Sequence, residues 1–388
     1  MRNQKLVSSL NYNKREKELY MTTKTLIKAP FKADHVGSLL RPANLHEART
    51  EFKEGIITAE QLREVETKEI KRIVDKQIEI GLKAVTDGEF RRSWWHLDFM
   101  EHFNGVEGYV PETGYKFKEG ETERYDVRNT GKVSFNPNHP FIQDFIEFKE
   151  IVGDRAVAKL TIPSPNQFFN AGIRDVTIYP DIEEYAKDII QAYREAFKTF
   201  YEAGARYLQI DDVYIAGLSS PGIPFNDGQY SRDYLIDLAL RVVNGVLEDK
   251  PEDLHVTTHL CRGNYKSDWA FEGSYALIAP TLFAKEKVDG FFLEYDDDRS
   301  GSFKPLEHIP AGGAQVVLGV FTSKNGDLED KEAIKARVNE AAQYVPLEQL
   351  CISPQCGFAS THHGNILTEE QQWAKLKFIV DVSHEIFG

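Results

Sequence analysis

The sequence predicts an α/β protein of the (β/α)8 TIM-barrel class, and three observations carry that expectation. Eight short, apolar, largely β-branched runs recur between residues 31 and 354. Most are separated by stretches of helical periodicity, the alternation that builds a parallel sheet covered by helices. A polar or ligand-type residue stands at the exit of every run, and barrels of this class place their active sites at the C-terminal ends of the strands. An open, doubly wound sheet is the competing arrangement. No Gly-x-Gly-x-x-Gly follows an early run, which weakens a dinucleotide-binding version of it.

Taken in order, residues 1–30 are polar and mixed in charge and read as an N-terminal tail or arm, with Met21 an alternative start. Residues 31–388 read as one barrel domain with an insertion at about 88–154. The expected strands are 31–37, 82–87, 155–162, 205–211, 254–261, 288–294, 315–321 and 349–354. Thr58 and Gln61 have the spacing of a capping box opening a helix, with Leu62, Val65, Ile70, Ile73, Val74 and Ile78 roughly on one face. Gly81 supplies its stop, and strand 82–87 follows. The same design recurs: Asp181 opens a helix carrying Ile189, Tyr193, Phe197 and Phe200, Gly204 ends it, and strand 205–211 follows. Further helices are expected at 229–248, 273–286, 329–342 and after Thr368. Residues 88–154, rich in Gly, Tyr, Phe and charge, read as a lid or subdomain, and 213–228 as a second long exit loop.

Composition narrows the function. The chain has 388 residues, 41% hydrophobic and 28% charged, as expected of a soluble globular protein. Its net charge of −14 argues against nucleic acid or an anionic membrane as partner. Three cysteines imply no disulfide framework and suit a reducing cytoplasm. Residues 1–28 lack the apolar stretch of a secretory signal. No run of about 18 apolar residues suggests a membrane span. These totals are compatible with a homo-oligomer.

The chemistry concentrates at the strand exits. His259 and Cys261, two residues apart on a strand, share a face. Glu294 ends a second run and Cys356 follows a third. One imidazole, two thiolates and a carboxylate suit Zn2+, whereas thiolates argue against magnesium or calcium. Taken singly, each would pass for a core residue. The long spacings between ligands differ from the close cysteine pairs of structural zinc sites and favour a chemical role, in which Glu294 yields to a substrate thiol. Glu89 and Asp211 are placed to hold a substrate ammonium group, while Asp87 and Asp212 are assigned to capping turns. Gly37 before Ser38 would let backbone N–H groups approach a carboxylate. The cluster Arg91, Arg92, Trp94, Trp95 and His96 suits either a flat, partly anionic ligand or lid packing. Cys351, inside a strand, is expected to face away from the site.

The segments 259–264, 353–358, 208–211 and 87–89 together resemble the catalytic barrel of cobalamin-independent methionine synthase, in particular its short, single-barrel relatives in Gram-positive bacteria. The resemblance covers about residues 30–385. It implies zinc held by His259, Cys261, Glu294 and Cys356, with Glu89 and Asp211 on the amino group of homocysteine and Ser38 on its carboxylate. Two departures stand out. The full-length enzyme has a second barrel before the catalytic one, and it places after the seventh strand a histidine suggested to protonate the folate leaving group. Here Lys324 occupies about that position, and Lys324, His362 and His363 are the candidate acids. The reaction implied is methylation of homocysteine to methionine, with 5-methyltetrahydrofolate (as polyglutamate), a corrinoid or a methyl-sulfur compound as donor. Epoxide:thiol transfer is a related alternative, since the 259–264 run also resembles epoxyalkane:coenzyme M transferase. Glu89 and Asp211 favour an amino-acid thiol over that sulfonate. A non-catalytic zinc-binding barrel is the third reading.

Overall fold

The computed structural model describes residues 28–117, 120–220 and 229–388, so most of the expected N-terminal arm and the end of the 213–228 loop lie outside the described residues. Seven strands form one sheet in chain order: β1 (Ala84–Val85), β2 (Val157–Pro163), β3 (Tyr207–Asp211), β4 (His255–Leu260), β5 (Gly290–Glu294), β6 (Gln315–Phe321) and β7 (Leu350–Pro354). Every neighbouring pair is parallel. Strand alternation sorts the side chains into two layers. Leu208, Ile210, Val256, Phe291, Leu293, Val316, Leu318 and Ile352 join the large apolar core. On the other face, Val36, Phe292, Val317 and Cys351 form a separate small cluster, beside the buried polar residues Lys159, Gln209 and Thr257.

The expected first strand, 31–37, closes the circle without becoming a regular strand. It makes one parallel bridge, Ala33 to Ile352, and Asp34 N–H donates to the Ile352 carbonyl at 3.1 Å. On its other side Thr86 Oγ1 donates to the Gly37 carbonyl at 2.6 Å. The cause of the irregularity is Asp34. Its carboxylate accepts from the backbone N–H of Phe31 and of His35, at 3.2 and 2.8 Å, engaging groups that an extended ladder would use. The same carboxylate pairs with Lys159 at 3.1 Å and accepts from the Tyr207 hydroxyl at 2.9 Å, all buried.

The helices follow their start signals. In α2 (Ala59–Glu79) Gln61 N–H donates to Thr58 Oγ1 and Thr58 N–H to Gln61 Oε1, the full capping box. The same reciprocal pair, Thr368 and Gln371, opens α7 (Glu369–Phe387). Asp181 caps α4 (Ile182–Glu202), α5 is Arg232–Leu247 and α6 is Lys331–Ala341. α1 (Ala43–Lys53) precedes α2 and was not anticipated. The continuous helix expected over 273–286 does not form. Pro280 interrupts it, leaving a 3-10 turn (Tyr275–Leu277) and a single helical turn (Leu282–Lys285).

The segment 88–154 divides in two. Its last part is α3 (Pro140–Val152), which supplies the barrel helix before β2 and packs Phe141, Phe145, Phe148 and Val152 inward. The rest carries an antiparallel ribbon (Asn104–Tyr109 with Asp126–Ser134) and a small hairpin (Lys116–Phe117 with Gly120–Glu121). No helix among the described residues is long and apolar enough to cross a membrane.

Candidate active site

Strand register brings the predicted ligands together. Asp211 lies opposite His259 across β3 and β4, and His259 opposite Phe292 of β5, which ends two residues later at Glu294. Cys356 follows β7. The ligand atoms of His259, Cys261, Glu294 and Cys356 all lie within 4.8 Å of one another, and all four residues are buried. The two sulfurs are 3.6 Å apart. Zinc–sulfur bonds of about 2.3 Å in a tetrahedron separate two thiolates by about 3.8 Å, so the spacing fits the ion. Both ring nitrogens of buried His259 lack a hydrogen-bond partner, a costly state that a metal bond would relieve. The donor chemistry and the orphaned imidazole therefore fit zinc.

The electrostatics fit as well. The Cys356 thiol beside it, with His259, holds Cys261 well below the ordinary thiol range, and Cys356 is held up in return. Burial pulls His259 down, but the Cys261 thiolate outweighs it and leaves the imidazole raised. Burial, then the Cys261 charge, pushes Glu294 up to about 7. Three groups hold that carboxylate: the Arg262 N–H at 2.7 Å, the Asn264 amide at 2.8 Å and the Arg299 guanidinium at 2.7 Å.

A cavity of about 30 Å³ adjoins the cluster, lined in part by Ser38, Glu89, Trp95 and Asp211 together with His259 and both site cysteines. Glu89 sits at φ +62°, a left-handed conformation costing a non-glycine residue about 1–3 kcal/mol. Its Oε1 accepts from the Thr161 hydroxyl at 2.8 Å, while its buried Oε2 has no partner. Asp211 accepts from Gln209 at 2.7 Å, and burial pushes it up to about 7, with Glu89 adding to the rise and His259 opposing it. Ser38 lies close against Gly357: a Cβ there would stand 1.9 Å from the Ser38 Oγ, so a side chain at 357 would displace that hydroxyl.

Asp87 and Asp212 take the turn roles expected of them, accepting from the N–H groups of Glu89 and Ile215 at 2.9 and 3.0 Å. The aromatic and basic cluster divides. Trp95 lines the cavity, whereas Arg91 pairs with Glu147 at 3.0 Å and Arg92 donates to the Thr161 carbonyl at 2.6 Å. Cys351 lies in the interior cluster with Val36, Phe292 and Val317, its thiol pushed up to about 12 by burial. Lys324, His362 and His363 do not line the cavity. The Lys324 ammonium pairs with Asp296, which shares Arg299 with Glu294. His362 and His363 stand beside Glu123. Asn264 and Arg299, which hold the Glu294 carboxylate, were not among the candidate site residues. The only signal for Arg299 was the charged run Asp296–Arg299 after Glu294, which looks like any solvated loop.

A family model described as cobalamin-independent synthase, catalytic domain, matches residues 170–385. YxjH of Bacillus subtilis (strain 168), an uncharacterized protein, is 49% identical over 364 residues, covering 93% of this chain and 96% of that one. A methionine synthase of Saccharolobus solfataricus is 24% identical over 330 residues, 83% of this chain and 86% of that one. A solved structure from Listeria monocytogenes, provisionally described as a vitamin-B12-independent methionine synthase, has a TM-score of 0.77 at 43% identity, covering 93% of this chain and 99% of that one.

Proposed function

The chain belongs to the cobalamin-independent methionine synthase family and is a methyltransferase, and from that premise we propose that it methylates homocysteine to methionine at a zinc centre. The observation that carries this reading is the convergence of four metal-competent donors with two carboxylates, Glu89 and Asp211, on one cavity. His259, Cys261, Glu294 and Cys356 would hold the ion, which when bound supplies the Lewis acidity that keeps a substrate thiol ionised near neutral pH.

The chain's own residues do the rest. The unpartnered Oε2 of Glu89 accepts from the homocysteine ammonium, with Asp211 as the second anion. Ser38 Oγ and the backbone around it meet the carboxylate. Glu294 is the ligand able to leave, because Asn264, Arg299 and the Arg262 N–H are placed to receive its carboxylate. Homocysteine and a methyl donor are thus the partners, and the cytoplasm is the expected compartment.

A donor other than methyltetrahydrofolate is favoured by one observation. Lys324, at the position of the family's acid, already has its ammonium committed to Asp296. The experiment is methionine formation by zinc-loaded protein from homocysteine with methyltetrahydrofolate triglutamate, methylcobalamin or a methyl-sulfur compound in parallel. Product with any donor that disappears in Cys261→Ala supports the reading, and the productive donor settles its identity. No product with any of them, from protein of full zinc content, overturns it.

A further inference from the structure

His362 and His363, six and seven residues past Cys356, meet Glu123 in a second group of metal-competent donors outside the first cluster. His362 and His363 lie side by side with ring centroids 4.0 Å apart. Their Nε2 atoms are 3.9 and 4.0 Å from Oε1 of Glu123, and one donor atom from each of the three residues lies within 4.8 Å of the others. Tetrahedral zinc with bonds of about 2.0–2.1 Å needs donors about 3.3 Å apart, so an inward shift of roughly half an ångström per side chain closes the set.

Two features mark this as more than a chance meeting of surface groups. His363 Nδ1 lies 3.2 Å from Thr361 Oγ1, and an N–H donated there leaves Nε2 as the free lone pair facing Glu123. Metal-bound histidines are oriented by the same kind of outer hydrogen bond. The backbone beneath the pair is also fixed, with His362 N–H donating to the Ser93 carbonyl at 3.0 Å and Thr361 bridged to Trp94. Two imidazoles and one carboxylate suit a zinc-class ion better than magnesium or calcium.

The three residues come from two places that the fold must hold together. Glu123 follows the small hairpin of the insertion, and the histidines belong to the loop that carries Cys356. The hairpin already touches the exit loops, with Phe117 packed on Tyr265 at 4.9 Å and Tyr115 near Trp94 at 6.3 Å between ring centroids. We propose that Glu123, His362 and His363 bind a second, exchangeable divalent cation of the zinc class, which clamps the insertion hairpin onto the loop that carries Cys356. Glu123 is 64% exposed and the imidazoles 24% and 21%, so water completes the coordination and the ion exchanges readily with solvent.

Cobalt titration of the full, metal-stripped chain tests this. The catalytic cluster, with two thiolates, announces its cobalt by a sulfur-to-metal charge-transfer band, whereas the second site, lacking sulfur, adds only weak ligand-field absorption. The expected result is about two cobalt ions per chain by equilibrium dialysis, the second one reducing trypsin cleavage after Lys116 and Arg124. Glu123→Gln, at an exposed position, and His363→Ala should each lose the second ion at least tenfold in affinity while keeping the charge-transfer band. A single cobalt per chain in the unaltered protein overturns the proposal, as does a second ion retained by both variants. Loss of the charge-transfer band in the unaltered protein would instead count against the catalytic zinc centre, so the two readings fail separately.

Discussion

Glu294→Gln tests quantitatively how this buried carboxylate is held when no metal is bound. Burial, then the Cys261 thiolate, raises Glu294 from 4.5 to about 7 against the pull of Arg299. An acid raised by folding binds its proton more tightly in the native chain than in the unfolded one. Its contribution to stability is therefore fully present below pH 4.5 and is lost as the pH rises through about 7. At about 1.4 kcal/mol per pH unit, a rise from 4.5 to about 7 corresponds to about 3.5 kcal/mol. Metal-free protein should lose about that much from this one group over the window, and Glu294→Gln, with no proton to release there, should not. Urea unfolding followed by tryptophan fluorescence, in chelator at several pH values, measures the difference. Asp211, also raised to about 7, contributes to both curves and largely cancels. Zinc loading should abolish the difference, because a carboxylate held on a cation no longer takes up a proton in this range. Parallel stability curves for the two metal-free proteins would refute the account of Glu294 as a carboxylate that burial and the Cys261 charge hold above its ordinary range.

Two further outcomes follow from the same geometry. Cys351→Ser should leave zinc content unchanged, because the thiol lies in the interior cluster away from the ligands, and should cost about 1–3 kcal/mol for a hydroxyl among Val36, Phe292 and Val317. Metal analysis and the urea midpoint check both parts. Glu89→Gln keeps an acceptor for Thr161 but removes the charge from the free oxygen. A lost charge-assisted hydrogen bond of about 1.5–3 kcal/mol should raise the KM for homocysteine roughly tenfold to a hundredfold at unchanged zinc content, measured by steady-state kinetics.

What could be read in the chain was what local periodicity controls. A period of two turns His259, near the end of β4, and Cys261, one residue beyond it, to the same side, and the capping boxes at Thr58 and Thr368 set helix starts within a few residues. The first strand was misjudged because its apolar pattern is correct and only the tertiary placement of Asp34, against Lys159 and Tyr207, turns its carboxylate onto the local N–H groups. Pro280 was visible inside the expected 273–286 helix and should have broken it. No spacing in the sequence joins Glu123 to His362, because 239 residues separate them and a flexible-looking insertion carries one of the partners.

Residue 324 shows why the candidate metal ligands were legible and the methyl donor was not. Ligands are fixed by the ion, which accepts few residue types in few geometries, so His259, Cys261, Glu294 and Cys356 stand out from the pattern alone. An acid is fixed only by its neighbours. Lys324 meets Asp296; Asp296 meets Arg299 at 3.2 Å; Arg299 meets Glu294 at 2.7 Å and lies over the Trp269 ring at 4.5 Å. Lys324 is thereby tied, through Asp296 and Arg299, to the Glu294 carboxylate. Freeing the Lys324 ammonium for proton transfer would leave Asp296 with Arg299 alone and draw that guanidinium away from Glu294. Lys324 and Glu294 are thus coupled through one line of alternating charges, in which Asp296 serves both cations and Arg299 serves both anions, a coupling that a neutral histidine at 324 would not impose in this form.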